Sequence, residues 1–549
     1  MTSRRLLVVG LLLFIFIDHA KSQALIVVDA QIGLSGCDLR EAIIAAETNS
    51  NSHEPLCIRG LSDEPEQQDT IVFDPDLFGD PDEDNVVLNY PAFNCLNPDV
   101  NASAAYPTIT SGIFIFGRSN QERIRLLAPT GQFDENCRIF YIDGGNLRIQ
   151  NLFLGPALDF RGGAINVNND GMLTAINVSF VGNTAQNFGG AIAASDAEVK
   201  ISFSEFIDNV ADSVSSPGFR ASSGAIDLGS SNAIIEDSHF QGNRTLDLPS
   251  NQGQGGAIQV VASNLTLLRT SFIENISADS GAINVNNGTS VLIQDSTFSR
   301  NRAEDQGGSA IGAIGSGISL TIINSTITEN VDANDFSFSS GAIDLAIGSE
   351  ADDPISNILI RNSIVSGNTA SISASIGQEI RASGFDSEVT PNTLVIDNSI
   401  VGSSSLTTNQ GLNIDGLDEL FGIFLPERNN QIGFSDSADI PLRSIIGPRR
   451  FGSTAGSSTS FVYHPLVRNS PAIDAGADVV SAGSFPLFFI FPGCRDVTGL
   501  STPGPYRPDQ LGRERPQGAE CDIGAIEFVD EPFCWAIPLP NGRAVTPCL

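Results

Sequence analysis

Lysine is nearly missing from this chain: Lys21 and Lys200 are the only two in 549 residues. Basic side chains number 29 against 64 acidic ones, a formal net charge of −35 at pH 7. That balance excludes the cationic face on which binding to nucleic acid or to an anionic membrane surface depends. Cysteine is absent from the whole middle of the chain, between Cys137 and Cys494, and no Cys-x-x-Cys pair or neighbouring histidine points to zinc. The run Leu6–Ile17 is too short to span a membrane comfortably, and no later run is long and apolar enough. The repetitive middle also lacks any ten-residue stretch of helical period.

What the middle does have is a recurring phrase. Gly-Gly-Ala-Ile or Ser-Gly-Ala-Ile, as at Gly162–Ile165, Gly189–Ile192, Ser223–Ile226, Gly255–Ile258, Ser280–Ile283 and Ser340–Ile343, is followed by Phe-x-x-Asn at Phe180, Phe206, Phe240, Phe272 and Phe298. Ile327 and Val365 stand in for the aromatic in two further copies. A period of about 25 to 34 residues signals stacked repeats, each unable to bury its own apolar face alone. Within a copy, apolar residues alternate: Leu173/Ala175, Val199/Ile201, Leu265/Leu267 and Val291/Ile293 lie seven and five residues before the Phe. Spacing of two is that of a strand. With glycine before the strand and asparagine after it supplying turns of positive φ, each copy reads as one coil of an all-β parallel β-helix.

In that fold Asn183, Asn209, Asn243, Asn275, Asn301, Asn330 and Asn368 should stack at the strand spacing of about 4.8 Å as an amide ladder, a structural rather than chemical role. The Phe column should stack inside the coil, each ring contributing about 1.5 to 3 kcal/mol. Ser204, Ser238, Thr270, Ser296, Ser325 and Ser363 form a polar stack of the same kind. Asp237, Arg269 and Asp295 occupy one position in successive coils and read as an outer charge ladder worth tenths of a kcal/mol per pair.

Arg4 and Arg5, the apolar run and small residues up to Ala24 read as a secretory signal peptide over residues 1–24. In an exported chain, Cys37, Cys57, Cys95 and Cys137 at one end and Cys494, Cys521, Cys534 and Cys548 at the other read as disulfides fastening two caps. Sequence neighbours are the expected partners: Cys37 with Cys57, Cys95 with Cys137, Cys494 with Cys521 and Cys534 with Cys548. Residues 25–105 hold a cap and first strands, with a short amphipathic helix from Asp38 to Glu47 laid over the open end of the coils. The repeats occupy 106–405, a Gly- and Pro-rich irregular module 406–530, and a tail of unassigned sorting role 531–549. The long insertions, Val210 to Ser223 and Arg244 to Gln254, fall at one edge of adjacent coils and are expected to form a ligand-facing platform. No cofactor is required; the one candidate metal is calcium, on the carboxylates of Asp80-Pro81-Asp82-Glu83-Asp84-Asn85.

These motifs carry a family resemblance. Gly36-Cys37-Asp38-Leu39-Arg40-Glu41-Ala42-Ile43 resembles the Cys-Ser-Leu-Arg-Glu-Ala motif of exported bacterial β-helix proteins, with Asp38 in place of the usual serine. The Gly-Gly-Ala-Ile and Phe-x-x-Asn copies are similar to the repeats of chlamydial polymorphic outer membrane proteins. Ser470-Pro471-Ala472-Ile473-Asp474-Ala475-Gly476, Arg507-Pro508 and Cys521-Asp522-Ile523-Gly524-Ala525-Ile526-Glu527 resemble the choice-of-anchor Q module. The resemblance implies a right-handed single-stranded β-helix, secreted or on the outer-membrane surface of a Gram-negative bacterium. A monomer, with cell-surface glycans or proteins as partners, is the accompanying expectation.

Activity is a separate question, since parallel β-helices also host polysaccharide lyases and hydrolases. Such chemistry needs paired carboxylates, or calcium with a basic Arg or Lys. Asp227 and Asp344 share an outward column with Asn166, Gln259 and Asn284 but stand four coils apart, about 19 Å at the strand spacing. No Gly-His-Gly or Asp-Asp motif occurs. His239, on an exposed strand face, and His464, in the terminal module, read as solvated or packed, and Arg220, Arg244 and Arg361 mainly as surface charge. The reading is a non-enzymatic, adhesin-like or structural surface protein with no catalytic residues; the alternative is a polysaccharide lyase or glycoside hydrolase acting on an acidic or plant or algal glycan.

Overall fold

The computed structural model describes residues 25–29, 36–48, 57, 69–74, 86–89, 104–117, 124–128, 137–213, 221–246, 253–333, 341–348, 350, 352–370, 379–384, 392–402, 412–414, 431–432, 442–452, 461–476, 479–481, 490–492, 495–498, 502–506, 508–515, 521–527, 537–538 and 544–545. Residues 1–24, the Asp80–Asn85 cluster, Arg220, Arg507, Cys95, Cys494, Cys534, Cys548 and most of 531–549 lie outside them, as do 214–220 and 247–252 of the two long insertions.

One turn of the chain contributes four short strands where the repeat pattern announced one. Ile165–Asn168, Met172–Ile176, Ser179–Val181 and Thr184–Phe188 follow one another, and each pairs in parallel with its equivalents in the coils before and after. The resulting sheets, named A to D in that order, hold ten, twelve, twelve and eight strands. The fold is a right-handed single-stranded parallel β-helix, the hand that twisted strands impose on parallel connections. Parallel strands continue past residue 405, to Leu412–Ile414 in sheet A and Gln431–Ile432 in sheet C.

Corners fall where the backbone takes positive φ. Between sheets B and C these are Asn177, Phe203, Asp237, Arg269, Asp295, Asn324, Asn362 and Asn398. Between C and D they are Gly182, Asp208, Gly242, Glu274, Arg300, Glu329 and Gly367, each one residue before a ladder asparagine. The expectation that the ladder asparagines themselves supply the left-handed turn is therefore corrected. Their preceding residue turns, which frees the asparagine to point inward. At the corner before sheet A, Gly162 has a φ of 60°, and a Cβ on Gly163 would lie 2.3 Å from the Gly190 carbonyl. The first glycine serves the turn and the second serves close approach of coils.

Inside, Phe180, Phe206, Phe240, Phe272 and Phe298 form a column with centroids 4.6 to 4.8 Å apart and planes within 9° of parallel. The sheet register, which pairs Phe with Phe, sets that spacing. The asparagine column beside it is bonded rung to rung. Nδ2 of Asn183, Asn209, Asn243, Asn275, Asn301 and Asn330 donates to Oδ1 of the next asparagine at 2.8 to 3.0 Å. The same Oδ1 accepts the previous asparagine's backbone N–H, and Nδ2 also donates to a main-chain carbonyl of the previous coil, as Asn275 does to Phe240. Hydroxyls work likewise at the B–C corner, where the N–H groups of Ser204, Thr270, Ser296 and Ser325 donate to Ser238, Ser296, Ser325 and Ser363.

The N-terminal end is closed by α1, Leu39–Thr48, whose Leu39, Ala42, Ile43, Ala45 and Ala46 are buried. Cys37 is bonded to Cys57 beside its start. Cys137 and Cys521 are also disulfide-bonded; their expected partners, Cys95 and Cys494, lie outside the described residues. Among the described residues, no helix is long and apolar enough to cross a membrane. From Leu442 onward the chain leaves the helical path, forms antiparallel hairpins such as Arg450–Gly452 with Phe461–Tyr463, and lies against the outer face of sheet C.

Candidate functional site

Two outward faces stand out, one covered by the terminal module and one that holds a recess. The covered face is sheet C from His239 onward. His239 is buried, with Nδ1 2.7 Å from Ser271 Oγ and Nε2 3.2 Å from Gln241. The expectation of an exposed strand face is corrected: the terminal module covers it, and the Val462 N–H donates to the same Ser271 oxygen at 3.3 Å. His464 packs from the module side, between Ser299 Oγ and the Gly447 carbonyl. Burial lowers the pKa of both rings, which makes them neutral packing groups.

The charge column at the adjoining corner is corrected in the same sense. Arg269 binds Asp237 through two hydrogen bonds of 2.8 and 2.7 Å. Asp295 still attracts Arg269 electrostatically, but it is buried and takes its arginine hydrogen bond from Arg515 of the module at 3.0 Å. Arg515 is fully buried, also bonds Glu527 at 2.7 Å, and reaches the Asp522 and Gly524 carbonyls. This arginine lies eight residues beyond Arg507, which the motif comparison singled out. Glu527 closes the Cys-Asp-Ile-Gly-Ala-Ile-Glu motif, and its carboxylate with the Asp522 and Gly524 carbonyls forms the module's side of the arginine's socket.

The second face is the groove between sheets A and D, where Asn166, Gln259, Asn284 and Asp344 are also buried. Its floor is the outward column of sheet A, in which Asn166, Ala193, Asp227, Gln259, Asn284, Gly312, Asp344 and Arg381 stand in register. Its wall is Arg161, Phe188, Ser222, Gln254 and Asp279, one per coil. At one place the groove deepens into a recess of about 190 Å³ lined by Arg161, Asn166, Phe188, Asp227 and Gln259 with Ala193, Ser195 and Val261. The Arg161 guanidinium lies 4.7 Å from the Phe188 ring centroid, a cation–π contact that holds its planar donors at the rim.

Asp227 sits at the floor of this recess, and burial pushes its carboxyl up to about 6 against the opposing pull of the Ser222 and Ser223 hydroxyls and the Arg161 charge. Both hydroxyls meet the same oxygen, Oδ2, at 3.0 and 3.2 Å. Asp344 lies four strands away along the floor, with Arg381 at 3.8 Å. At about 4.8 Å per strand the two carboxylates are about 19 Å apart, beyond the roughly 5 to 9.5 Å that glycosidic cleavage uses. Arg244 is exposed on sheet D, and Arg361 is buried and bonded twice to Asp397 at 2.6 and 3.1 Å, so neither enters the recess. Among the described residues no group of three or more His, Cys, Asp or Glu side chains could hold a metal ion.

One buried acid escaped the sequence reading. Glu379 precedes a sheet A strand, at the position where the other coils have the alanine of Gly-Gly-Ala-Ile. It ends the amide ladder, accepting from Asn368 Nδ2 at 2.6 Å and from the Gly367 N–H at 2.9 Å. The break in the alanine column was the available signal.

A family model described as a right-handed beta helix region matches residues 163–349. A search of curated proteins finds no match. Among solved structures, the crystal structure of pectate lyase Pel9A is similar at 11% identity and a TM-score of 0.29, with 84% of this chain and 88% of that chain covered.

Proposed function

We propose that this chain is an exported β-helix of the bacterial cell surface that holds a ligand, an adhesin-like role, and does not transform it. The acid content of the recess carries the reading: Asp227 is the one carboxylate among the residues that line it, and the next acid along the floor, Asp344, stands four strands away. Export is supported by the arginine-led apolar N-terminus and by cysteines held as disulfides. The terminal module, with its likeness to choice-of-anchor Q sequences, would serve attachment. Cell-surface glycans and proteins are the partner classes, bound by a monomer. Nucleic acid is disfavoured by the charge.

A second reading, a polysaccharide lyase or glycoside hydrolase, is favoured by one observation: a carboxyl raised to about 6 in a recess beside an arginine. Two measurements on the purified mature chain separate the readings. Glycan and protein arrays should show retention, and incubation with pectin, alginate and neutral polysaccharides, with and without calcium, should release no reducing or unsaturated ends. Turnover abolished by Asp227→Asn would make the second reading correct.

A further inference from the structure

We propose that the Asp227 recess is a subsite for one neutral pyranose ring of a glycan chain lying along the sheet A–D groove; this deepens, and rests on, the ligand-holding reading. The argument starts from Gln259. Its Nε2 is committed to Gln254 Oε1 at 2.8 Å, while its Oε1 is buried without a hydrogen-bond partner. A buried amide oxygen left without a donor costs free energy unless something supplies one. This oxygen belongs to a residue lining the recess.

Asp227 stands beside it in the floor, one strand away. Its Oδ2 takes both serine hydroxyls, which leaves Oδ1 to receive a ligand donor. Two acceptors at the strand spacing of about 4.8 Å suit adjacent hydroxyl groups on one sugar ring. Phe188, Ala193 and the partly exposed Val261 offer apolar surface for the ring's C–H face, and Arg161 adds donors for ring or hydroxyl oxygens.

The next rung shows what a closed position looks like. Asn284 is fully buried, its Nδ2 donates to Ser280 Oγ at 2.9 Å, and its Oδ1 accepts from Asn286 at 2.7 Å. The floor is thus internally satisfied one strand beyond Gln259, whereas Gln259 itself keeps an acceptor without a donor. The balance of groups also selects the ligand. A uronate carboxylate would add an acceptor to a site already rich in acceptors, within a chain of net charge −35. A ring bearing only hydroxyls supplies the missing donors.

The test uses the full mature protein and calorimetric titration with neutral oligosaccharides of glucose, mannose and galactose, and with oligogalacturonate. The expected result is binding of a neutral series, weakened about tenfold or more by Gln259→Ala and by Asp227→Ala, and unchanged by Thr266→Ala on the outer face of sheet B. Thermal melting of each variant confirms that the fold is retained, and Gln259→Glu, which keeps the acceptor, should bind better than Gln259→Ala. Neutral binding that survives both alanine variants overturns the subsite and leaves the ligand-holding reading standing. Preference for oligogalacturonate overturns the neutral class, and failure to bind every oligosaccharide overturns the subsite. Cleavage of a bound neutral glycan overturns the ligand-holding reading and leaves the subsite in place.

Discussion

A ladder asparagine satisfies two coils at once, because its amide nitrogen bonds the next rung and a main-chain carbonyl of the previous coil while its oxygen collects two N–H donors. Such a column has to end somewhere. Beyond Asn368, Glu379 takes the place of the next rung. Its surroundings are buried, and burial raises its carboxyl to about 8 in spite of the donors from Asn368 and Gly367. The folded state therefore keeps a proton that the unfolded chain releases near its ordinary value of 4.5. This contribution to stability is fully present below about pH 4.5 and is lost as pH rises through about 8. Urea midpoints of the native chain should fall relative to those of Glu379→Gln between pH 5 and 8.5. Parallel pH profiles would show that Glu379 is ionised in the folded protein.

At the scale of elements, α1 illustrates how a motif residue is replaced without losing its role. Asp38 Oδ1 accepts the Glu41 N–H at 2.9 Å, and Glu41 Oε2 accepts the Asp38 N–H at 3.3 Å. This is a reciprocal capping box, for which Asp and Ser are about equally suited. The other end is tied by Glu47, which receives the N–H and hydroxyl groups of both Thr110 and Ser111. Asp38→Ala should cost about 1 kcal/mol in chemical denaturation, whereas Asp38→Ser, the residue of the resembled motif, should cost only a few tenths. Equal losses in the two variants would mean that the cap is not the relevant interaction.

Across the whole molecule, the terminal module is joined to the coils by a buried ion cluster and a small apolar contact. Arg515 spans Asp295 of the coils and Glu527 of the module, and Ile364 and Ile400 of sheet C pack with Ile445, Leu466 and Ile523. Arg515→Met removes the cation and leaves buried carboxylates uncompensated, a loss of about 3 to 5 kcal/mol. The expected outcome is faster hydrogen exchange at Val462 and Ala525, whose N–H groups bond sheet C hydroxyls, with protection of the Phe-column strands unchanged. Exchange that stays slow at both amides would show that the apolar contact alone holds the module.

The sequence by itself determined the β-helix, the face each apolar residue turns inward and the columns of Asn, Phe and Ser. All of these follow from a period that repeats once per coil, so that identical residues meet at the strand spacing whatever the corners do. It also placed Asp227, Gln259 and Asn284 in one outward column. Only the tertiary structure decided what covers each outward column. The outer column of sheet C is as polar in sequence as the floor of sheet A, yet His239, Ser271 and Thr297 are buried because a module about 200 residues later along the chain folds back on them. Asp295 gains Arg515 as its hydrogen-bond partner for the same reason. A contact between a repeat and a non-repeating segment leaves no period to read. The recess likewise joins residues of two sheets, Arg161 and Phe188 of sheet D with Asp227 and Gln259 of sheet A. These lie in different strands of different coils, and no single motif encodes their meeting.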